Sequence, residues 1–339
     1  MNPHRPARPP TPSPSTTRRL GLRVLGATAF AACSFVPATA AAQAAYPNKP
    51  IRIIVPFPAG TSPDAIARLW SEKLAKSIGQ AVIVENKPGA ATIIGAQLVA
   101  TAPADGYTLL YTAQNTMSIN PYVYKTLPYK TDDLIPVHHV CAVPLVLITA
   151  AGSRVKSLAD LMQAAKTEPG KLNFASYGIG QGTHVTMVHL LNNAGASMTH
   201  VPYKDGGILD VMSGVIDVSF EASTTALPQI KGGKIRALAV SSAKRLEALP
   251  DVPTIAETIP GFTADSWHGV LAPHGTPADI VAKIAAESQK IVDSPDFRAK
   301  LRDFALTPLG GTPGNFRKFI ADESSVWAKV VKDNDIKVE

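Results

Sequence analysis

Cysteine is almost missing from this sequence: of 339 residues only Cys33 and Cys141 carry a thiol. Beyond residue 44 Cys141 stands alone, so an intrachain disulfide and a cysteine-based metal site are both excluded there. Its neighbours Val140, Ala142 and Val143 are apolar, which predicts a buried, inert thiol. No run after residue 45 is long and apolar enough to cross a bilayer, which takes roughly 20 residues. Acids are absent from residues 1–44, while arginines stand at 5, 8, 18, 19 and 23. The formal charge of +7 therefore falls to about +2 once that segment is set aside. The basic character belongs to the leader, and no nucleic-acid partner is implied.

That leader has the parts of an export signal. Its basic head is followed by a short apolar middle, Val24 to Val36, and an Ala-rich end. Cleavage is expected after Ala42-Gln43-Ala44, leaving 295 residues in the periplasm. Arg18-Arg19 before Leu20 hints at twin-arginine export in place of the general secretory route, although Gly21 sits where that signal prefers bulk. Phe30-Ala31-Ala32-Cys33 is an atypical lipoprotein box that would anchor Cys33; the soluble form is the preferred reading.

The remaining chain exceeds one ordinary core, so two lobes are expected. Strand-like and helix-like runs alternate from Ile51 to Val240, the pattern of parallel α/β sheets covered on both faces. After a strand at Trp267–Ala272 come three helical segments, 277–293, 295–304 and 312–333, with no strands of their own. Such helices must cover something built earlier. The chain is therefore read as returning to its first lobe, placed at 46–145 plus 266–339, with the second at 146–265.

Two strand-to-helix turns draw attention. In Ile51–Trp70 a buried β-branched run ends at a Pro- and Gly-containing turn, and Ser62-Pro63-Asp64 supplies an N-cap, a Pro at N1 and an acid in the first turn. Gly60, Thr61 and Ser62 lack bulk, so backbone N–H groups at the helix start are read as open to an anion. The same sequence also suits a plain strand-to-helix connection. In the second lobe Leu172–Ser176 runs through Tyr177-Gly178-Ile179-Gly180-Gln181-Gly182 into a helix from Thr183. This imitates a dinucleotide fingerprint, but Thr183 replaces its third glycine and an exported protein meets little NAD. A small-anion cradle using the Ser176 hydroxyl and glycine amides fits better. His184 either donates to a carboxylate or serves as a capping histidine.

Catalytic and metal signals are thin. His184 and His189 lie five apart and do not share a helix face, and there is no HExxH, no Gly-x-Ser-x-Gly and no phosphate-loop lysine. His138-His139 beside Pro136 reads as an exposed polar doublet. No cofactor and no metal are expected.

Several stretches, in order along the chain, resemble one family: VPFPAG with DAIAR, VIVENKPGA with IGA, ADGYTLLYT, LPY, HVPYK, IRALAVSSAKR, LPDVPTIAE and APHGTP. They are similar to the exported receptors of tripartite tricarboxylate transporters, also called Bug receptors. The resemblance implies a two-lobed periplasmic binding protein of the flytrap type, with two doubly wound sheets and no catalysis. It also implies capture of a small organic carboxylate (di- or tricarboxylate, aromatic acid or amino acid) for membrane transporter subunits, by a monomer. The binding loops map onto Phe57, Ala59, Gly60, Thr61 and Ser62 with Asn115 in lobe one. In lobe two they map onto Ser176, Gly178, Gly180, Thr183 and His184, with Asp205 after HVPYK. Three departures stand out. Thr61 replaces a usual glycine, Ala91-Thr92-Ile93 replaces Gly-Gly-Asn, and Asp205 replaces a frequent glycine. Asp205 puts a negative charge into an anion site unless it receives a substrate hydroxyl or ammonium. Alternatives of another class are a secreted enzyme using His184 and Asp205, and a receptor that presents ligand to a membrane kinase. Phe57, Tyr177 and Trp267 are candidate aromatic cleft residues, with core packing the simpler role for Trp267.

Overall fold

In the computed structural model residues 46–338 are described; the expectations on the export segment and on Cys33 lie outside them. The first sheet is begun by β1 (Ile51–Val55), α1 (Ser62–Ile78), β2 (Val82–Asn86), α2 (Ile93–Ala100) and β3 (Thr108–Ala113), followed by the short α3 (Asn120–Val123) and the long β4 (Leu134–Val143). One residue, Pro144, separates β4 from β5 (Leu145–Ala150), which enters the second sheet. That sheet adds α4 (Leu158–Thr167), β6 (Asn173–Ser176), α5 (Gly182–Ala194), β7 (Thr199–Pro202), α6 (Ile208–Ser213), β8 (Val218–Ala222), α7 (Ser223–Lys231) and β9 (Ile235–Val240). The chain returns with β10 (Ser266–Pro273), α8 (Ala278–Asp293), α9 (Pro295–Asp303), β11 (Thr307–Pro308) and α10 (Pro313–Asp333).

The two sheets share a plan. The first runs β11-β4-β10-β3-β1-β2 and the second β7-β6-β8-β5-β9. In each, βαβ units lay down three parallel strands, β2-β1-β3 and β7-β6-β8. The next strand in each is antiparallel and arrives from the other sheet: β10 beside β3, and β5 beside β8. Two connections thus join the lobes, Pro144 and the segment after β9. β1 is buried on both faces except at Arg52, as a central parallel strand must be, and Arg52 escapes by a fork to Glu85 at 2.7 and 3.0 Å.

Two sequence expectations fail here. β4 was not anticipated, because Pro136 and two histidines interrupt its apolar pattern. Pro136 is tolerated because β4 bulges against β10, its pairing skipping Val140 between His268 and Gly269 and Val137 between Val270 and Leu271. The His138-His139 doublet is consequently buried, not exposed; His139 lies face to face with Phe316 at 4.6 Å. Trp267 is fully buried, donates to Glu323 Oε2 at 2.6 Å and meets Phe316 edge-on, so it packs the core. Cys141 is also buried, which pushes its thiol up to about 12 and leaves it unreactive.

The final helix does more than cover the first lobe. Phe316 and Ile320 of α10 pack with Ile54, Trp267 and Leu271, whereas Trp327, Val330 and Val331 pack with Phe174, Val185 and Leu190. One rigid element therefore touches the cores of both lobes. Among the described residues no helix is long and apolar enough to cross a membrane.

Candidate ligand-binding cleft

The C-terminal ends of the parallel strands in both sheets open onto one cleft of about 940 Å³. Lobe one contributes the turn after β1 with the first residues of α1, the turn before α2, and Gln114-Asn115 after β3. Lobe two contributes Tyr177 and Gln181 to Thr183 after β6, Lys204-Asp205 after β7, and Ala222, Thr224 and Thr225 after β8. Val143, Leu145, Ser266 and His268 come from the crossing strands and form the floor. Four helices of eight or more residues, α1, α2, α5 and α7, thus begin at the cleft, where backbone N–H groups lack intrahelical partners. A second hollow of about 620 Å³ between α8 and the start of α10 is walled largely by alanine, valine and isoleucine, and among the described residues it gathers no buried unpartnered polar atom.

The two glycine turns are built alike, and neither glycine amide is open. The cap residue of α1 is Thr61, one earlier than the sequence suggests. Gly60, at φ +82°, donates its N–H to Asp64 Oδ2 at 2.9 Å. The same carboxylate receives Arg68 Nε at 3.0 Å and Asn86 Nδ2 at 2.8 Å. Burial pushes the Asp64 carboxyl up, but the hydrogen bonds from Arg68, Gly60 and Asn86 outweigh it and hold it below the ordinary range. Thr61 Oγ1 donates to the Pro58 carbonyl at 2.7 Å, so its hydroxyl is engaged within the turn. In lobe two Gly180, at φ +73°, donates to His184 Nδ1 at 3.1 Å. The His184 ring is stacked 3.9 Å from His200, which in turn stacks on Phe174 at 4.8 Å. Burial, and then the nearby His200, push His184 down to about 3. A neutral ring with a lone pair on Nδ1 is a cap; it offers no charge to a carboxylate.

Seven of the expected residues line the cleft: Phe57, Gly60, Thr61, Ser62, Asn115, Thr183 and Asp205. Five do not. Ala59 is exposed at the outer bend of its turn. Ser176 Oγ accepts the Gly178 amide at 3.1 Å and lies 2.7 Å from His200 Nε2, so both residues are tied down beneath the loop. Gly180 packs against lobe one, where a Cβ would fall 2.4 Å from Val123 Cγ1. His184 caps that same loop from below. Sequence reasoning missed Gln114, Gln181, Lys204, Thr224, Thr225 and His268 as lining residues. Thr224 and Thr225 follow a third strand end at the same sheet edge, and Lys204 stands inside the HVPYK motif, so both signals were present. Gln114 and His268 needed the tertiary fold.

What these residues offer is unanswered polarity. Ser62 Oγ, Gln114 Oε1, Thr224 Oγ1 and His268 Nδ1 are buried, line the cleft and have no hydrogen-bond partner among the described residues. Buried polar groups are ordinarily paired, so these four can each give or take a hydrogen bond with a polar group in the cleft. Burial pushes His268 down to about 3, leaving it neutral. The turn before α2 adds backbone strain: Ala90, Ala91 and Thr92 all have positive φ, at 43, 50 and 79°. It is braced by Asn120 Nδ2 donating to the Ala91 carbonyl at 2.7 Å and by a hydroxyl chain, Thr92 to Thr116 at 2.8 Å and Thr116 to Thr112 at 2.6 Å. Across the cleft, Asn115 Nδ2 donates to Gln181 Oε1 at 3.1 Å, a direct link between lobes.

Residues 66–336 match the family described as tripartite tricarboxylate transporter family receptor. The chain belongs to that family. Solved structures agree. Rpa4515 of R. palustris with adipate superposes with a TM-score of 0.79 at 32% identity, covering 86% of this chain and 100% of that one. The periplasmic binding protein BugD gives 0.76 at 31% identity over 86% and 100%. MatC of Rhodopseudomonas palustris with bound malate gives 0.75 at 29% identity over 84% and 100%. This receptor therefore has the two-lobed periplasmic binding protein fold, and its family and neighbours are substrate-binding receptors.

Proposed function

We propose that this receptor captures a small organic carboxylate between its lobes in the periplasm and delivers it to the membrane subunits of a tripartite transporter. The observation that carries this reading is the convergence of four helix starts and four buried polar atoms without a partner among the described residues on one cleft shared by two sheets. Adipate and malate in the two related structures support the carboxylate class. The mechanism follows from the connections. A carboxylate enters against one wall, where each favourable charge–dipole contact is worth about 0.3–2 kcal/mol. The other lobe then closes about β4-β5 and β9-β10, and the ligand's oxygens meet Ser62, Thr224 and the first-turn amides. α10, packed on both cores, limits how far the lobes swing apart. Delivery to the periplasm falls to residues 1–44 as a cleaved signal, and the mature receptor acts as a monomer. Thermal-shift screening against di- and tricarboxylates, aromatic acids and amino acids tests the reading. A rise in melting temperature for a subset is expected, and a flat response to every carboxylate would overturn it.

A further inference from the structure

Lys204 and Asp205 are the only cleft-lining side chains among the described residues that carry a formal charge at neutral pH, and they are adjacent in the loop after β7. Neither forms an ion pair among the described residues. Asp205 Oδ1 accepts the Gly207 amide at 3.2 Å, which orients the carboxylate and leaves its other oxygen free of protein donors. The loop rests on a packed base. The Tyr177 ring fills the space beside Gly206, where a Cβ would come within 2.5 Å of it, and Tyr177 OH donates to Glu221 Oε2 at 2.9 Å. Glu221 is fully buried and its Oε1 has no partner. Burial first, and the Asp205 charge as well, push the Glu221 carboxyl up to about 8 against the bond from Tyr177. At neutral pH Glu221 is therefore protonated, and Asp205 alone supplies the negative charge of this corner.

An ionised di- or tricarboxylate brings only acceptors and negative charge. It would face Asp205 with like charge, and it would leave Gln114 Oε1, an acceptor only 1% exposed and without a donor, unanswered. A hydroxyl answers an acceptor but not a charge. A protonated amine answers the Asp205 charge and brings donors as well, while Lys204 and the helix starts remain for the carboxylate. We propose that the ligand of this cleft carries a protonated amine beside its carboxylate, an amino acid rather than a simple polycarboxylate, with Asp205 receiving the ammonium. This rests on the carboxylate-receptor reading and narrows it.

Isothermal titration of the purified protein, wild type and Asp205→Asn, against matched pairs tests the assignment: L-aspartate with succinate, L-glutamate with glutarate, and the other amino acids each with the deaminated analogue. The wild type should prefer the aminated member of at least one pair by roughly tenfold or more, the scale of one charged hydrogen bond. Asp205→Asn should erase that preference and leave the amine-free member bound equally or more tightly. If amine-free acids bind the wild type as well as their aminated partners, the proposal falls and the carboxylate reading stands. If no acid of either kind binds, both fall. Should the variant not fold, the wild-type preference alone decides.

Discussion

The entrances to α1 and α5 solve the same problem, one with a charged acceptor and the other with a neutral one. Each places a left-handed glycine four residues before a side chain that takes its N–H: Gly60 with Asp64, Gly180 with His184. In lobe one the acceptor is an anion with its own cation, Arg68, and a carboxamide, Asn86, that also holds the Phe57 carbonyl at 3.0 Å. In lobe two it is a neutral imidazole in a stack of rings. A carboxylate at the foot of α1 already answers part of that helix's positive end. The foot of α5 holds no acid. The lobe-two helix start is thus the more electropositive of the two, although the loop beside it carries Asp205.

Breaking the lobe-one device should cost most. Asp64→Ala strands the Gly60 amide, the Asn86 amide and a half-exposed Arg68, so a loss of about 3 kcal/mol is expected by urea unfolding. Asp64→Asn should recover part of it. A loss under 0.5 kcal/mol would mean the carboxylate is dispensable and the comparison misplaced.

The lobe-two device should fail more mildly and respond to pH. His184→Ala leaves the Gly180 amide unpaired and should cost about 2 kcal/mol. The His184 pKa lies near 3 in the fold and near 6.5 unfolded, so the unfolded chain binds the extra proton between those values. Its contribution is complete above about pH 6.5 and is lost as pH falls towards 3. The slope is at most about 1.4 kcal/mol per pH unit for one proton. His184→Asn keeps an acceptor for Gly180 without the titration, so its stability should fall less steeply than the wild type between pH 6.5 and 4. Equal slopes would show that the other buried histidines account for the acid loss. Glu221 acts in the opposite sense: its stabilisation, present below its unfolded value, fades as pH rises through about 8.

Much of this was legible beforehand. The alternation from Ile51 to Val240 carries the α/β class, because strands buried on both faces leave continuous apolar runs. The switch from apolar strand through a glycine-bearing turn into a helix marks both turns in the sequence. What could not be read was which amides remain open, since a side chain four residues on can point back or outward with no change in spacing. Ser176 illustrates the same limit: its place after a strand suits a ligand donor, yet its hydroxyl lies 2.7 Å from His200 Nε2, 24 positions away in the chain. The β4 strand is hidden by Pro136, whose cost is absorbed where β4 bulges against β10, leaving Val137 and Val140 without a register partner there.

Contact between the walls gives a smaller effect. The Asn115–Gln181 bond at 3.1 Å joins the lobes in this state, and Asn115→Ala should weaken closure by about 1 kcal/mol. Small-angle scattering of the unliganded variant should report a larger radius of gyration than the wild type. An unchanged radius would assign closure to α10, which spans both cores.

The smallest expected change separates strain from the capped turns. Gly60 and Gly180 meet their positive φ without a Cβ, whereas Ala91 holds φ 50° and ψ 45° with one. A left-handed residue with a Cβ costs roughly 1–2 kcal/mol. Ala91→Gly would remove that cost and add about 0.5–1 kcal/mol of unfolded-state entropy. The net should be a gain of roughly 0.5 kcal/mol, read by chemical denaturation. If the strain serves to fix the Ala91 carbonyl against Asn120 and so to shape the cleft, the stabilised variant should bind its ligand no better or somewhat worse. Tighter binding together with higher stability would show that this turn is strained to no purpose at the site.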